Sequence, residues 1–135
     1  MRSAQCHALM PMMQFSVAPW RVLDKTNFEA VKKAVDIRKQ FIPEIMKLAR
    51  ISAKTGEPIV TNLEYYFPNQ GLALIKDQFM LGEKIMVAPM VISGNSRTVI
   101  FPEGKWIGDD GETYLGGKEY TISVPIDRLP YFIKK

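Results

Sequence analysis

Carboxylates are the first residues in this chain of 135 amino acids that could do chemistry. Asp109, Asp110 and Glu112 crowd a Gly-rich stretch and could hold calcium. The alternating oxygen ligands and closing Glu of a calcium loop are missing, which favours a solvated hairpin turn. Asp77 precedes the apolar run Phe79-Met80-Leu81 and reads as a cap or salt-bridge partner. Glu64 lies in a strand-like stretch, where successive side chains face opposite sides, so it could point into a site or toward solvent. Asp127-Arg128, in a turn before Leu129-Pro130, reads as a structural ion pair. The single Cys6 excludes an internal disulfide, and one Cys beside one His, His7, cannot supply the usual zinc ligand set. No order of Ser, His and Asp supports a triad, and no Gly-x-Gly-x-x-Gly or phosphate-loop pattern occurs. No catalytic residue, metal or cofactor is therefore expected within the chain.

Aromatic residues say more. Phe15, Trp20, Tyr65, Tyr66 and Trp106 stand in or beside loop-like stretches. Rings next to polar loops suit carbohydrates, because sugar C–H faces are apolar while hydroxyls need hydrogen bonds. The same rings could instead fill an interface between two modules of the chain.

The elements that would position these groups divide the sequence in two. A first helical piece is expected from Ser3 to Met13, with Pro11 near its end. From Thr26 to Ala53 apolar residues recur at helical spacing, among them Phe28, Val31, Val35, Phe41, Ile45 and Leu48. Thr26 with Glu29 has the form of a capping box, Gly56 and Pro58 supply the stop, and Pro43 should kink or divide the helix. Residues Ile59–Phe67 are β-branched and aromatic and read as a strand, ended by Pro68-Asn69-Gln70-Gly71. A helical turn over Leu72–Lys76 is expected next. Short strands then follow at Phe79–Met80, Ile85–Met90, Thr98–Phe101, Tyr120–Val124 and Tyr131–Ile133, with turns between them. That spacing suggests a β-sandwich or barrel.

Composition narrows the class. Hydrophobic residues make up 47% and charged residues 24%, enough for a core and too apolar for disorder. The net charge is +4, and no basic run exceeds two residues, so no nucleic-acid partner is expected. The most apolar stretch, Ala8–Trp20, is broken by Pro11, Gln14 and Pro19 and is too short to span a bilayer. It also lacks the form of a signal peptide. No membrane association is expected.

Several segments, in order, resemble the C-terminal part of glycoside hydrolase family 31, the α-glucosidase and α-xylosidase group. Residues Ala8–Ser16 are similar to the family's segment after the seventh barrel strand, and Pro19-Trp20 resembles its Pro-Trp step. Ala34–Arg38 through Phe41-Ile42-Pro43 resembles the following helix, and Gly56–Pro58 with Leu63 and Phe67-Pro68 resembles the eighth strand. Asp77–Gly82 followed by Val87-Ala88-Pro89 is the most specific match. Arg97–Pro102, Gly104-x-Trp106, Gly116-Gly117 and Pro125–Pro130 resemble the β-domain behind the barrel.

The resemblance implies an α/β plus all-β fold: the last elements of a (β/α)₈ TIM barrel over residues 1–76, then a proximal antiparallel β-sandwich over 77–135. It implies a retaining α-glycosidase acting on an α-linked carbohydrate, with both catalytic aspartates upstream of Ala8–Ser16 and so absent from this chain. Gln14, Ser16 and Trp20 would line the substrate rim. Family members commonly carry Arg-Asn-His where this chain has Gln14-Phe15-Ser16, and Arg-Pro where it has Thr61-Asn62. The changes point to a divergent subgroup reading another α-sugar, galactose being one candidate, or to a parent without activity. A barrel site needs the whole closed cylinder, so an N-terminal barrel portion is the expected partner, and without it Phe28, Val31 and Val35 should be exposed. The rival expectation is a non-catalytic carbohydrate-binding or structural β-sandwich module using rings around Trp106 and Tyr114.

Overall fold

The computed structural model describes residues 1–135. It opens with α1 (Arg2–Ala8), α2 (Pro19–Val22) and α3 (Lys25–Thr55), followed by β1 (Val60–Thr61) and α4 (Leu63–Tyr66). The remaining strands are β2 (Phe79–Leu81), β3 (Ile85–Val87), β4 (Ser96–Phe101), β5 (Lys105–Gly108), β6 (Thr113–Leu115), β7 (Lys118–Ser123) and β8 (Tyr131–Lys134). No helix is long and apolar enough to cross a membrane.

The long helix forms where its spacing predicts, but its start differs. Asp24, not Thr26, is the N-cap: its carboxylate accepts from the Asn27 N–H at 2.9 Å. A carboxylate there also meets the positive end of the helix dipole, and the Asn27 bond holds the Asp24 carboxyl below its usual range. Gly56 ends the helix at φ +80°, in the left-handed region open to glycine. Pro43 neither divides nor ends the helix, which runs for 31 residues. Both Pro43 and Lys39, whose carbonyl loses its partner, are exposed, so water can serve the freed oxygen. The first helix is shorter than expected, closing at Ala8 ahead of Pro11.

The strand expected over Ile59–Phe67 survives only as Val60–Thr61. Asn62 takes over as a cap, its side chain accepting from the Tyr65 N–H at 3.1 Å, and Leu63–Tyr66 turns helical. A local side-chain bond thus outweighs the strand preference of two tyrosines. Residues Leu72–Lys76 form a single turn, closed by Ile75 N–H to the Leu72 carbonyl, not a helix.

Six strands pair in the order β1-β2-β3-β8-β5-β6, and β4 pairs with β7 in a separate ribbon. Every pairing is antiparallel. The segment matched to the eighth barrel strand is therefore joined here, through Val60↔Leu81, to an antiparallel sheet. Strands β5 and β6 had no counterpart among the expected strands. On one face of the large sheet, Met80, Met86, Trp106, Tyr114 and Phe132 pack with Val99, Phe101 and Ile122 of the ribbon. On the other, Leu81, Ile85 and Val87 pack with Ala34 and Ile45 of α3 and with Ala8 and Leu9. Covered on both sides, the central strands read as unbroken apolar runs, Phe-Met-Leu and Ile-Met-Val. The result is a mixed fold, helices against an antiparallel sheet that also backs a ribbon.

Side chains staple the layers. Buried Gln78 donates to the Ile100 carbonyl at 2.8 Å and accepts from its N–H at 2.9 Å, so one amide stands in for a strand neighbour of β4. Arg2 reaches the carbonyls of Val124 and Pro125 at 2.9 and 3.2 Å, and Gln5 that of Ile126 at 2.9 Å, fixing α1 to the turn before β8. The face of α3 expected to lie bare is covered instead: Val31 is buried, and Phe28 and Val35 are half-buried.

Candidate functional site

Each carboxylate grouping has a structural partner. Asp77 pairs with Arg97 at 2.8 Å. Glu64 is not on a strand but in α4, where its two oxygens accept from Asn69 and Leu72 N–H groups at 2.9 and 3.2 Å and so close the following turn. Asp127 and Arg128 do not pair with each other. Asp127 binds Lys33, which lowers its pKa, while Arg128 binds Asp109 and Asp110 at 2.8 and 2.7 Å. Burial works to raise the Asp110 carboxyl, but bonds from the Tyr114 hydroxyl, the Glu112 N–H and Arg128 outweigh it and hold the group low. The Tyr114 hydroxyl, donating to Asp110 at 2.7 Å, is pushed up to about 12, first by burial and then by that carboxylate. No three His, Cys, Asp or Glu side chains converge as metal ligands would. The Asp109–Glu112 turn is a clamp for the Leu129–Pro130 approach to β8.

The rings expected beside loops sort differently. Trp106 is 0% exposed and Tyr114 is 8% exposed, both in the core beneath the ribbon. Trp106 donates its indole N–H to the Pro102 carbonyl at 2.9 Å, and Phe101 stacks on Tyr114 at 4.9 Å. Neither ring can present a face to a sugar, which removes the observation behind a binding module built on them. Alternation in β5 and β6 turns these side chains inward, and neither strand is among those expected from the sequence.

What does face outward is the connection from α1 to α3. Gln14 and Ser16 are exposed on the irregular stretch between Leu9 and Ala18, and Trp20, 69% exposed, is the second residue of α2. Met12, Phe15, Val17 and Val22 are exposed along the same stretch. Polar groups able to donate and accept thus share one run with apolar ones that nothing in the chain covers. From Met12 to Val17 the main chain makes no hydrogen bond to other main chain.

The run is nevertheless anchored at its start. Ala8 and Leu9 are fully buried. Arg38 on α3 donates to three carbonyls beyond them, Ala8 at 3.0 Å, Met10 at 2.6 Å and Pro11 at 2.9 Å. Arg38, part of the Ala34–Arg38 motif, has no role assignable from the sequence alone. Its placement is legible there: Ala34, Arg38, Phe41 and Ile45 fall at helical spacing on the inward stripe, where a cation must find partners.

Residues 56–135 match the family model described as the glycosyl hydrolase family 31 C-terminal domain. Alpha-glucosidase 2 of Bacillus thermoamyloliquefaciens is 30% identical over 120 residues, covering 87% of this chain and 15% of that protein. The myogenesis-regulating glycosidase of Mus musculus is 33% identical over 130 residues, covering 93% of this chain and 18% of that protein. A family 31 dextranase of Flavobacterium johnsoniae, solved with glucose, superposes over 99% of this chain and 18% of its own with a TM-score of 0.89 at 27% identity. The chain thus spans less than a fifth of the length of each of these proteins. With the ordered motifs, the antiparallel fold and a matched region longer than half the sequence in agreement, this chain belongs to glycoside hydrolase family 31.

Proposed function

We propose that the complete protein is a retaining α-glycosidase, and that this chain supplies the last elements of its (β/α)₈ barrel, residues 1–76, and the proximal β-sandwich, 77–135. The paired aspartates of the reaction lie outside these residues. One attacks the anomeric carbon and the other protonates the leaving oxygen, then activates water, so two inversions preserve configuration. The β-sandwich braces the barrel. Gln14, Ser16 and Trp20 line the rim of the sugar site, the two polar side chains reading hydroxyls and the indole face packing on sugar C–H groups. Because Gln14-Phe15-Ser16 replaces the Arg-Asn-His that family members commonly carry, the favoured substrate is an α-sugar other than glucose, galactose being the first to try.

The observation that carries this reading is the exposed run Met12–Val22, apolar and polar together, in a chain where Asp77, Asp109, Asp110, Asp127 and Glu64 are engaged by structural partners. Barrel sites are built at the ends of several strands, and the remaining barrel would cover the apolar side chains of that run while leaving Gln14 and Ser16 facing the cleft. The names of the relatives, α-glucosidase and glycosidase, add support. The test is hydrolysis of 4-nitrophenyl α-galactoside, α-glucoside and α-xyloside by the complete protein, with the first-formed anomer read by proton NMR. The α-anomer is expected, with KM raised in Gln14→Ala and Ser16→Ala. A β-anomer, or no turnover of any of the three, refutes the reading.

A further inference from the structure

We propose that Arg38 is a positioning residue for sugar recognition: its guanidinium fixes the run that carries Gln14 and Ser16 while touching no substrate itself. The inference rests on the proposed role of that run. Three facts point to it. The run has no main-chain hydrogen bonds of its own between Met12 and Val17, so its placement depends on how it leaves α1. At that departure Arg38 alone binds three carbonyls, of Ala8, Met10 and Pro11, across a separation of 27 to 30 residues. Finally, Arg38 is a half-buried cation that forms no salt bridge, so its hydrogen-bonding capacity is directed to main-chain oxygens rather than to an acidic partner.

The chemistry of the site explains the choice of residue. A helix ends with carbonyls that lack partners, and its last turn carries partial negative charge. Helix α1 ends at Leu9 without a left-handed cap, φ −108°. A planar guanidinium at that point satisfies several oxygens at once in fixed directions. An ammonium group is a point charge on a flexible stem and cannot hold three carbonyls in one plane. The run beyond Pro11 therefore leaves α1 at an angle set by α3, and α3 is in turn held by its packing on the sheet. Misplacing a recognition group by an ångström is enough to break its hydrogen bond to a sugar hydroxyl, a loss felt in binding.

The experiment is a double-mutant cycle in the complete protein, using whichever of the three 4-nitrophenyl α-glycosides is turned over best. Arg38→Ala and Gln14→Ala with Ser16→Ala are measured singly and combined, with Arg38→Lys as the variant most certain to fold. Arg38→Ala is expected to raise KM about tenfold or more, with kcat changed by less than about threefold. In the Gln14→Ala, Ser16→Ala background the same substitution is expected to change KM by less than about twofold, because its effect passes through those side chains. Millimolar guanidinium ion should restore part of the KM lost in Arg38→Ala, and Arg38→Lys should recover little. Loss of turnover in Arg38→Lys that follows only a lowered melting temperature, an additive cycle, or an unchanged KM overturns the positioning role while leaving the proposed function standing. An unchanged KM in Gln14→Ala with Ser16→Ala removes the role of the run, and the positioning role with it.

Discussion

The Asp77–Arg97 pair offers the sharpest test of what holds the large sheet to its ribbon. Arg97 begins the inward side of β4, and its side chain is 4% exposed, whereas that of Asp77 is 49% exposed. Beyond the 2.8 Å ion pair, the guanidinium donates to the Asp77 carbonyl at 3.1 Å, to the Thr98 carbonyl at 3.3 Å and to the buried Pro89 carbonyl. Burial disfavours the Arg97 cation and Asp77 only partly offsets this. The two partners should therefore be unequal. Arg97→Met keeps the volume but leaves the buried Pro89 carbonyl without this donor, at about 1–3 kcal/mol, and the part-buried Asp77 carbonyl likewise at about 1 kcal/mol, less the relief of removing a desolvated charge. A net loss of about 2–4 kcal/mol follows. Asp77→Asn keeps an oxygen acceptor and leaves every carbonyl bond in place, and its charge is half in water, so about 1 kcal/mol is expected. Urea unfolding followed by circular dichroism at pH 7 measures both, provided the slopes agree with that of the parent. Salt at 1 M should leave most of the Arg97→Met loss in place and remove much of the Asp77→Asn loss, since carbonyl bonds are not screened as exposed ion pairs are. Equal losses from the two substitutions would refute the carbonyl argument and restore the ion pair as the main tie.

Other consequences are as direct. Gly116→Ala should cost at least about 2 kcal/mol in the same assay, since its Cβ would collide with the Pro102 carbonyl and stand 2.6 Å from Glu103 Cα and Gly104 N, all main-chain atoms that cannot swing away. Pro43→Ala should stabilise by about 1–3 kcal/mol, seen as a higher melting temperature, because it returns an N–H to the Lys39 carbonyl in a helix that already runs through this position. Tyr114 holds its proton to about pH 12 in the folded chain and to about pH 10 when unfolded. Between those values the unfolded state has lost a proton that the folded state keeps, so stability is full below pH 10 and falls as pH rises toward 12. Tyr114→Phe should flatten that fall in unfolding midpoints taken across the window, and a slope equal to that of the parent would refute it.

Much of the fold was legible because its signals are local. The apolar stripe of α3 and its closing Gly56 can be read from spacing alone, as can the unbroken apolar runs of β2 and β3. The misses share a cause, which is that a distant partner or a single side chain decided them. Strand β5 is four residues long, follows Gly104 and ends on Gly108, and pairs Ile107 with Ile133, far along the chain, so nothing near Trp106 announces a central strand. Asn62 turned a strand into a helix start by capping it, and Asp24 displaced Thr26 because a carboxylate two residues earlier reaches the same turn. Trp106 and Tyr114 look like surface rings because Gly104, Lys105 and Gly108 surround the first and Glu112, Thr113 and Gly116 the second, yet strand alternation turns both inward. The candidate site was legible only through resemblance. Nothing in the spacing of Gln14, Ser16 and Trp20 marks them, and Arg38 needed the three carbonyls to be seen.

The run Met12–Val22 is also where local and global requirements part company. Elsewhere, Thr61 Oγ1 apart, polar side chains that enter the interior find partners: Gln78 completes both groups of Ile100, Gln5 reaches Ile126, and Arg128 meets two aspartates. Along the run the pattern reverses, with Met12 79% exposed and Val22 64% exposed while an arginine of α3 holds main chain instead of a carboxylate. A sequence shaped only for the stability of these residues gains from a polar side chain at Met12 and loses nothing, since apolar surface left in water contributes no burial energy. Keeping apolar groups there, beside hydroxyl and amide groups on a stretch without internal bonds, is intelligible if another surface covers the first set and a ligand meets the second. Under the proposed function, that division of labour within one short run joins the packing of this chain to its chemistry.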